Sequence, residues 1–293
     1  MEFTHDSQNL TVKAKMTSNF TAHNILLPDG SLTMPDCGWT IAESPWFLSA
    51  KRILELVYPG GMSEKRILDL GCLEGGYTVE FARMGFDAVG VEVRESNFSN
   101  CEYVRKKLKL NNLSFIKDDV WNIEKLGTAN AIFCCGLLYH LDRPRAFIEL
   151  MGRIASDVVI INTHYASDHS PEKFKLGEMS EHEGLSGRWY AEHDTDNIEE
   201  LETYKWTSWV NKKSFWLTKE SILHALHKAG FDLVFEQYDW LGDNIIEAVT
   251  KGYYKSDNRS QFVGIRSKSQ TSHPKGFPWK FLARHRFMKR GGS

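Results

Sequence analysis

The feature that most constrains this chain is a short apolar run that stops on glycine. Arg66-Ile67-Leu68-Asp69-Leu70 leads into Gly71-Cys72-Leu73-Glu74-Gly75-Gly76, and a helical stretch at 77–84 follows, closed by Gly85. The run reads as a buried strand feeding a helix. Residues 88–92, 113–117, 130–135 and 158–162 read as further strands, with helices at 96–110 and 144–154. A helix at 44–58 precedes them. Ser44 suits its N-cap, Pro45 its first position, and Pro59-Gly60-Gly61 its end. Strands alternating with helices at this spacing predict a parallel α/β sheet. After Thr163 the alternation stops for about fifty residues. It resumes with a helix at 218–229 and strands at 231–237 and 261–266. With only a loop expected between them, these last two strands should pair antiparallel.

The net charge of -2 hides two opposed regions. From 251 to 293 there are eleven bases and one acid, Asp257, so that stretch carries +10 and the rest of the chain -12. From 176 to 203 there are nine acids and one base, Arg188. Beyond the last strand, Phe277, Trp279, Phe281 and Phe287 interleave with six bases. A helix docked on the acidic body is the least demanding reading of that tail; an oligomer contact or a surface for an anionic partner are the alternatives. No apolar run approaches the roughly 20 residues that cross a bilayer, and residues 1–10 lack a signal peptide's basic and apolar regions. Five cysteines without a C-x-x-C pair fit a reducing cytoplasm and offer no zinc set or disulfide framework. No metal site is expected.

Glycine between a first strand and a helix marks a nucleotide-like ligand at the carboxyl edge of the sheet. Glu92, 21 residues after Gly71 and at the end of the second strand, is placed to accept hydrogen bonds from both hydroxyls of a ribose. A dinucleotide site needs G-x-G-x-x-G so that amides reach a pyrophosphate. Here Leu73 takes the second glycine's place and Glu74 adds a negative charge. The loop therefore argues against NAD and, with no Walker lysine, against ATP. It suits a ligand with positive charge, such as S-adenosylmethionine (SAM).

From Lys65 to Arg266 the sequence resembles the class I SAM-dependent methyltransferases. Leu68-Asp69-Leu70-Gly71-Cys72 is similar to their first motif and Glu92 to their second-strand acid. Asp119, in Asp118-Asp119-Val120, looks like their adenine-binding acid. Residues 133–141, ending Leu138-Tyr139-His140-Leu141, look like the segment around their fourth strand. That ending is commonest in a subgroup that includes small-molecule methyltransferases and tRNA wobble-uridine modifying enzymes. The resemblance implies a Rossmann-like, seven-stranded, mostly parallel sheet with an antiparallel last strand and helices on both faces. It also implies roles. Gly71, with Cys72 beside it, would let the methionine part of SAM approach the backbone, and Asp69 would orient the loop. Glu92 would hold the ribose and Asp119 the adenine amine, with Val120 and Trp121 near the ring. Cys135 would sit by the methionyl part.

Methyl transfer is a displacement at a sulfonium, so the protein must place an acceptor and, when needed, take its proton. His140 follows strand four and His164 strand five, both at the edge where ligands bind. Each is a candidate base or acceptor-positioning residue; each could equally serve the structure alone. Tyr139 and Tyr165 belong to the same edge. The segment 165–217 is acidic and holds Trp189, Trp206, Trp209 and Trp216. A long ordered segment there reads as a lid. Arg188, Trp189 and Trp216 are its candidate acceptor contacts, with packing and a structural salt bridge as their ordinary roles. Before the sheet, Pro28-Asp29-Gly30 makes a turn, with a small hairpin around it. Trp39, Trp46 and Phe47 are candidate pocket walls.

The chain thus divides into 1–60, a segment covering the cofactor; 61–164, the SAM-binding core; 165–217, the acidic, Trp-rich lid; 218–270, the rest of the sheet; and 271–293, the basic tail. The leading expectation is methyl transfer from SAM to an oxygen or nitrogen of a small-molecule acceptor, a natural product or sugar-like metabolite. A tRNA-modifying enzyme and a non-catalytic partner protein of the same fold are the alternatives. Acid at the lid would repel a nucleic acid, and the intact loop argues against a decayed site. The oligomeric state stays open, with a homodimer among the options.

Overall fold

The computed structural model describes residues 19–168, 173–251, 254 and 257–267. The expected basic tail, 271–293, lies outside the described residues.

Side-chain alternation along the strands organises the molecule. In β4 (Ala129–Cys135), Ala131 and Phe133 enter one apolar cluster while Ile132 and Cys134 enter another. In β1 (Arg66–Leu70), Ile67 parts from Leu68 and Leu70 in the same way. In β5 (Ala155–His164), Val158 and Ile160 part from Val159 and Ile161. Strands buried on both faces lie inside a sheet clad by helices on both sides, as a parallel sheet requires. Two helices, α4 (Pro144–Ile154) and α6 (Lys219–Lys228), contribute to the cluster of Ile132 and Cys134, here the first face; the cluster of Ala131 and Phe133 is the second. Three others, α1 (Pro45–Val57), α2 (Gly76–Arg83) and α3 (Glu95–Leu108), contribute to the second. Each fully buried Leu, Ile or Phe stabilises such a core by about 1.5–3 kcal/mol.

The sheet has seven strands. With β2 (Asp87–Glu92), β3 (Leu113–Lys117), β9 (Leu233–Gln237) and β10 (Arg259–Ile265), its order is β3-β2-β1-β4-β5-β10-β9. β1 through β5 pair in parallel, and β10 runs antiparallel to both β5 and β9. The element order predicts the parallel sheet and the antiparallel closing pair, and the family resemblance implies the seven-stranded Rossmann-like form seen here.

Four details differ from the sequence reading. Ser44 is the N-cap of α1, but its hydroxyl meets the Tyr77 hydroxyl at 3.2 Å instead of capping the helix. Between β9 and β10 there is more than a loop. A 3₁₀ turn at Asp239–Leu241 buries Trp240, and α7 (Ile245–Lys251) starts where Asn244 accepts from the Glu247 N–H at 3.2 Å. The insert holds an antiparallel sheet of its own, β6 (Leu176–His182), β7 (Leu185–Ala191) and β8 (Lys213–Leu217), and a short helix, α5 (Ile198–Thr203). Glu183 and Gly184, both at positive φ, turn β6 into β7. At the N-terminal side, the expected hairpin is a single antiparallel bridge, Leu26 with Leu32. No helix among the described residues is long and apolar enough to cross a membrane.

Candidate active site

A cavity of about 370 Å³ opens at the carboxyl ends of β1, β2 and β4. Its floor is built by the loop after β1. Gly71 turns at φ +67°, where its missing side chain leaves room beside Leu137. The N–H groups of Gly71 and Cys72 both donate to Val91 O at 3.0 Å, stitching the loop to β2. Leu73 has φ +53°, a conformation a branched side chain disfavours. Its N–H donates to Glu92 Oε2 at 2.9 Å, which holds it there. The other Glu92 oxygen accepts the N–H groups of Val93 (3.0 Å) and Arg94 (2.8 Å). Burial raises the pKa of Glu92, and these amides and Asn97 pull against that rise. Because the Leu73 amide is already bonded to Glu92, it is not free to bind a pyrophosphate.

Asp69 lies beneath the same loop, bonded by the Thr78 hydroxyl at 2.6 Å. Burial pushes its pKa up to about 7; a cation beside it would favour the ionised form. Asp119 caps a 3₁₀ turn at Val120–Leu126 by accepting the Trp121 N–H at 2.9 Å. Val120 and Trp121 line the cavity with it, as does Cys135 at the end of β4. Burial pushes the Cys135 thiol up to about 11. Cys72 does not line the cavity; its sulfur is buried 3.9 Å from that of Cys101.

Glu74 behaves differently from the reading of an acidic, ligand-facing loop. It is fully buried and does not line the cavity. Its carboxylate accepts the N–H groups of Thr21 (2.9 Å), Ala22 (3.0 Å) and His23 (2.8 Å), and pairs with Lys205. Burial would raise its pKa, but Lys205 and these amides outweigh burial and hold it below the usual range. Its charge anchors chain, and the acids that line the cavity beside the loop are Asp69 and Glu92.

The roof comes from two distant segments. Ala22, His23, Trp39, Ile41 and Trp46 lie on one side, and residues 205–211 of the insert on the other. Arg94, just past β2, fastens the second segment. Its guanidinium donates to the carbonyls of Leu201, Thr207 (2.7 Å) and Ser208 (3.2 Å) and lies 4.9 Å over the Trp209 ring. Lys205 bonds both Glu74 and the Thr21 hydroxyl, joining the two segments. His23 closes the corner. Its Nδ1 accepts the Gly76 N–H at 2.9 Å, so the proton sits on Nε2. Burial lowers its pKa to about 4.

The two candidate histidines part company. His140 lines the cavity, five residues beyond the end of β4. Its Nδ1 lies 2.9 and 3.1 Å from the two oxygens of Glu192. Glu192 follows β7 and is almost fully buried. It also accepts from Ser214 Oγ (2.7 Å) and Ser208 N (3.0 Å). Against burial, His140, Ser214 and Ser208 hold its pKa below the usual range. His164 is still inside β5, paired with Arg259 of β10. It stacks on Trp216 at 5.0 Å, donates from Nδ1 to Asp257 O at 2.7 Å, and does not line the cavity. Burial lowers its pKa to about 3.

Tyr139 lines the cavity. Tyr165, Arg188, Trp189 and Trp216 do not: Tyr165 packs on Phe262 and Tyr254, Trp189 on Phe215, and Trp216 on His164 and Tyr139. Arg188 bonds Asp168 O at 3.2 Å. Trp39 and Trp46 are pocket walls, whereas Phe47 packs on Phe81 in the core. Sequence reasoning missed Arg94, Asn97, Tyr77 and Arg259. The Arg259 guanidinium bonds Asn162 at 2.7 Å and lies 4.2 Å over Trp46. Trp39 and Trp46 marked one side of the roof in the sequence, and the pair Trp206-x-x-Trp209 marked the other.

A β1-glycine loop-helix floor, an acid after β2, an acid after β3 and a cavity at the switch of strand order define a nucleoside-binding α/β enzyme of the class I methyltransferase fold. A family profile described as a methyltransferase domain matches residues 47–236. The chain belongs to that family and is a SAM-dependent methyltransferase. Among functionally curated proteins no sequence matches it. Among solved structures it is similar to the N-terminal domain of EvdMO1 in the presence of S-adenosylhomocysteine (SAH) and D-fucose. That likeness has TM-score 0.58 and 23% identity, over 84% of this chain and 91% of that one. The same domain with SAH bound gives TM-score 0.55 and 24% identity over 77% and 82%. A 1,6-didemethyltoxoflavin-N1-methyltransferase from Burkholderia thailandensis gives TM-score 0.49 and 15% identity over 77% and 80%.

Proposed function

We propose that the protein transfers the methyl group of SAM to an oxygen or nitrogen of a small-molecule acceptor of the natural-product or sugar-like class. One observation carries this reading. A single cavity runs from Glu92 and Asp119 to His140 beneath an aromatic roof. When bound, SAM supplies a methyl carbon made electrophilic by its sulfonium. The residues present fit it. Glu92 would hold the ribose hydroxyls. Asp119 has one oxygen without a hydrogen bond among the described residues, and it would take the adenine amine, with Val120 and Trp121 against the ring. Gly71, Asp69 and Cys135 would receive the methionine part, whose positive charge would draw buried Asp69 into its ionised form.

The acceptor's share of the cavity is bounded by Tyr139, His140, Trp46 and the roof. Trp39 and Trp206 are 48% and 64% exposed at its lining, large aromatic faces that a sugar ring or a planar molecule can stack on. The EvdMO1 domain, named with D-fucose, lends direction to this choice of class. All five cysteines are free thiols, which fits the cytoplasm. The test is methyl transfer from labelled SAM to a panel of sugars, glycosides and heteroaromatic compounds, with bulk tRNA beside them. Label on a small molecule supports the proposal; label on tRNA alone refutes it.

A further inference from the structure

We propose that Glu192 positions His140 as the general base of the transfer, and that the acceptor atom is therefore a hydroxyl oxygen. This deepens the small-molecule reading and rests on it. The argument begins with protons. Glu192 is held below the usual carboxylate range and accepts hydrogen bonds from the Ser208 N–H and the Ser214 hydroxyl. An ionised carboxylate only accepts. The hydrogen between Glu192 and His140 must then sit on Nδ1, which leaves the lone pair of neutral His140 on Nε2. That nitrogen has no hydrogen-bond partner among the described residues, and His140 borders the cavity.

The rest of the neighbourhood fixes the ring. Asn211 Nδ2 donates to His140 O at 3.1 Å, the His140 N–H donates to Leu137 O at 2.9 Å, and the Tyr139 ring lies 4.2 Å away. On the insert side, Phe215 N donates to Leu141 O at 2.9 Å, docking β8 beside the histidine. Glu192 thus has two tasks. It orients the base, and through Ser208 it fixes the loop 205–211 that roofs the acceptor.

A base is needed most by a hydroxyl. A neutral amine already presents a lone pair, whereas an aliphatic hydroxyl is a poor nucleophile until its proton leaves. In the step, His140 Nε2 takes the hydroxyl proton as an oxygen lone pair forms the new O–CH₃ bond. The C–S bond to the methyl carbon breaks with its electrons passing to sulfur, leaving SAH and imidazolium. Glu192 faces that developing positive charge.

The test has two arms. First, nitrogen-15 spectra of histidine-labelled protein with SAH, assigned against His140→Ala, read the tautomer directly. The expected state is protonated Nδ1 and bare Nε2; protonated Nε2 in the neutral ring overturns the proposal. Second, methyl-labelled SAM is offered to a panel of hexosides, 6-deoxyhexosides and phenols and to a matched panel of amino sugars and anilines. Label should appear on hydroxyls. His140→Ala should lower kcat by about 10²–10⁴-fold. Glu192→Gln, which keeps the shape and removes the charge, should lower kcat by roughly tenfold or more, toward the about 10⁴-fold seen when a carboxylate behind a histidine base is neutralised. In both variants SAH affinity by calorimetry should stay within about twofold, a change too small to matter. Label on amines, no label on any hydroxyl, or an undiminished kcat in either variant overturns the proposal. Failure of the wild-type protein to bind SAH at all would instead remove the methyltransferase reading beneath it.

Discussion

The two walls of the cavity are built by different rules. The floor is one continuous stretch of sheet edge, in which Gly71, Glu92, Asp119 and Cys135 each stand where a strand ends. Its polar groups bond to backbone of the same strand ends and the loop beside them, as Glu92 does to Leu73, Val93 and Arg94. The roof joins residues 22–46 to residues 205–211, and its bonds span the chain: Arg94 to Leu201, Thr207 and Ser208, and Glu74 to Lys205. A wall made of bonds between neighbouring strand ends is fixed by the fold itself. A wall made of a few long-range bonds to side chains is fixed only while each of them holds, and it is where specificity can change without cost to the core.

The largest expected effect breaks the floor. Gly71→Arg places a long side chain at φ +67° beside Leu137. It should weaken SAM binding by at least about 100-fold, roughly 2.7 kcal/mol, with circular dichroism unchanged; measurable affinity near wild type would show that the cofactor lies elsewhere.

The next effect loosens the roof. Arg94→Ala leaves three carbonyls, those of Leu201, Thr207 and Ser208, without their donor. Stability should fall by about 1–3 kcal/mol in urea, and KM for the acceptor should rise. If the acceptor KM holds while the stability falls, the loop is fastened by something other than Arg94.

His164 sharpens the contrast with His140 through pH. Burial holds His164 neutral to about pH 3, while in the unfolded chain it takes a proton near pH 6.5. Unfolded protein therefore binds the extra proton between about pH 6.5 and 3. The stability present above pH 6.5 is lost as pH falls through that window, at up to about 1.4 kcal/mol per unit. His164→Gln should flatten this share of the slope in urea titrations at several pH values. An unchanged slope would mean that His164 is charged in the folded state.

What was legible in the sequence follows the same division. Glu92 was readable because strand periodicity and glycine spacing place it at a strand end. The seven strands of the main sheet were readable because most are apolar on both faces. β6 was not, since its residues are mostly exposed and carry no alternation. His140 and His164 look equivalent as residues that follow strands four and five. They differ because β5 runs through to His164, where it pairs with Arg259, while β4 stops at Cys135. Glu74 was read as part of the ligand's field because sequence reveals a charge but not its direction. Arg188, Trp189 and Trp216 drew notice by composition, yet the roof uses Trp206 and Trp209 because Arg94 reaches that part of the insert.

The smallest expected effect on the fold gives the most direct test of the central claim, that the floor holds SAM and the roof holds the acceptor. Trp206 is 64% exposed, so Trp206→Ala should leave stability within about 0.5 kcal/mol. Calorimetric titration with SAM should then give wild-type affinity for Trp206→Ala and no detectable binding for Gly71→Arg. Strong SAM binding by Gly71→Arg, with loss of it in Trp206→Ala, would contradict the account.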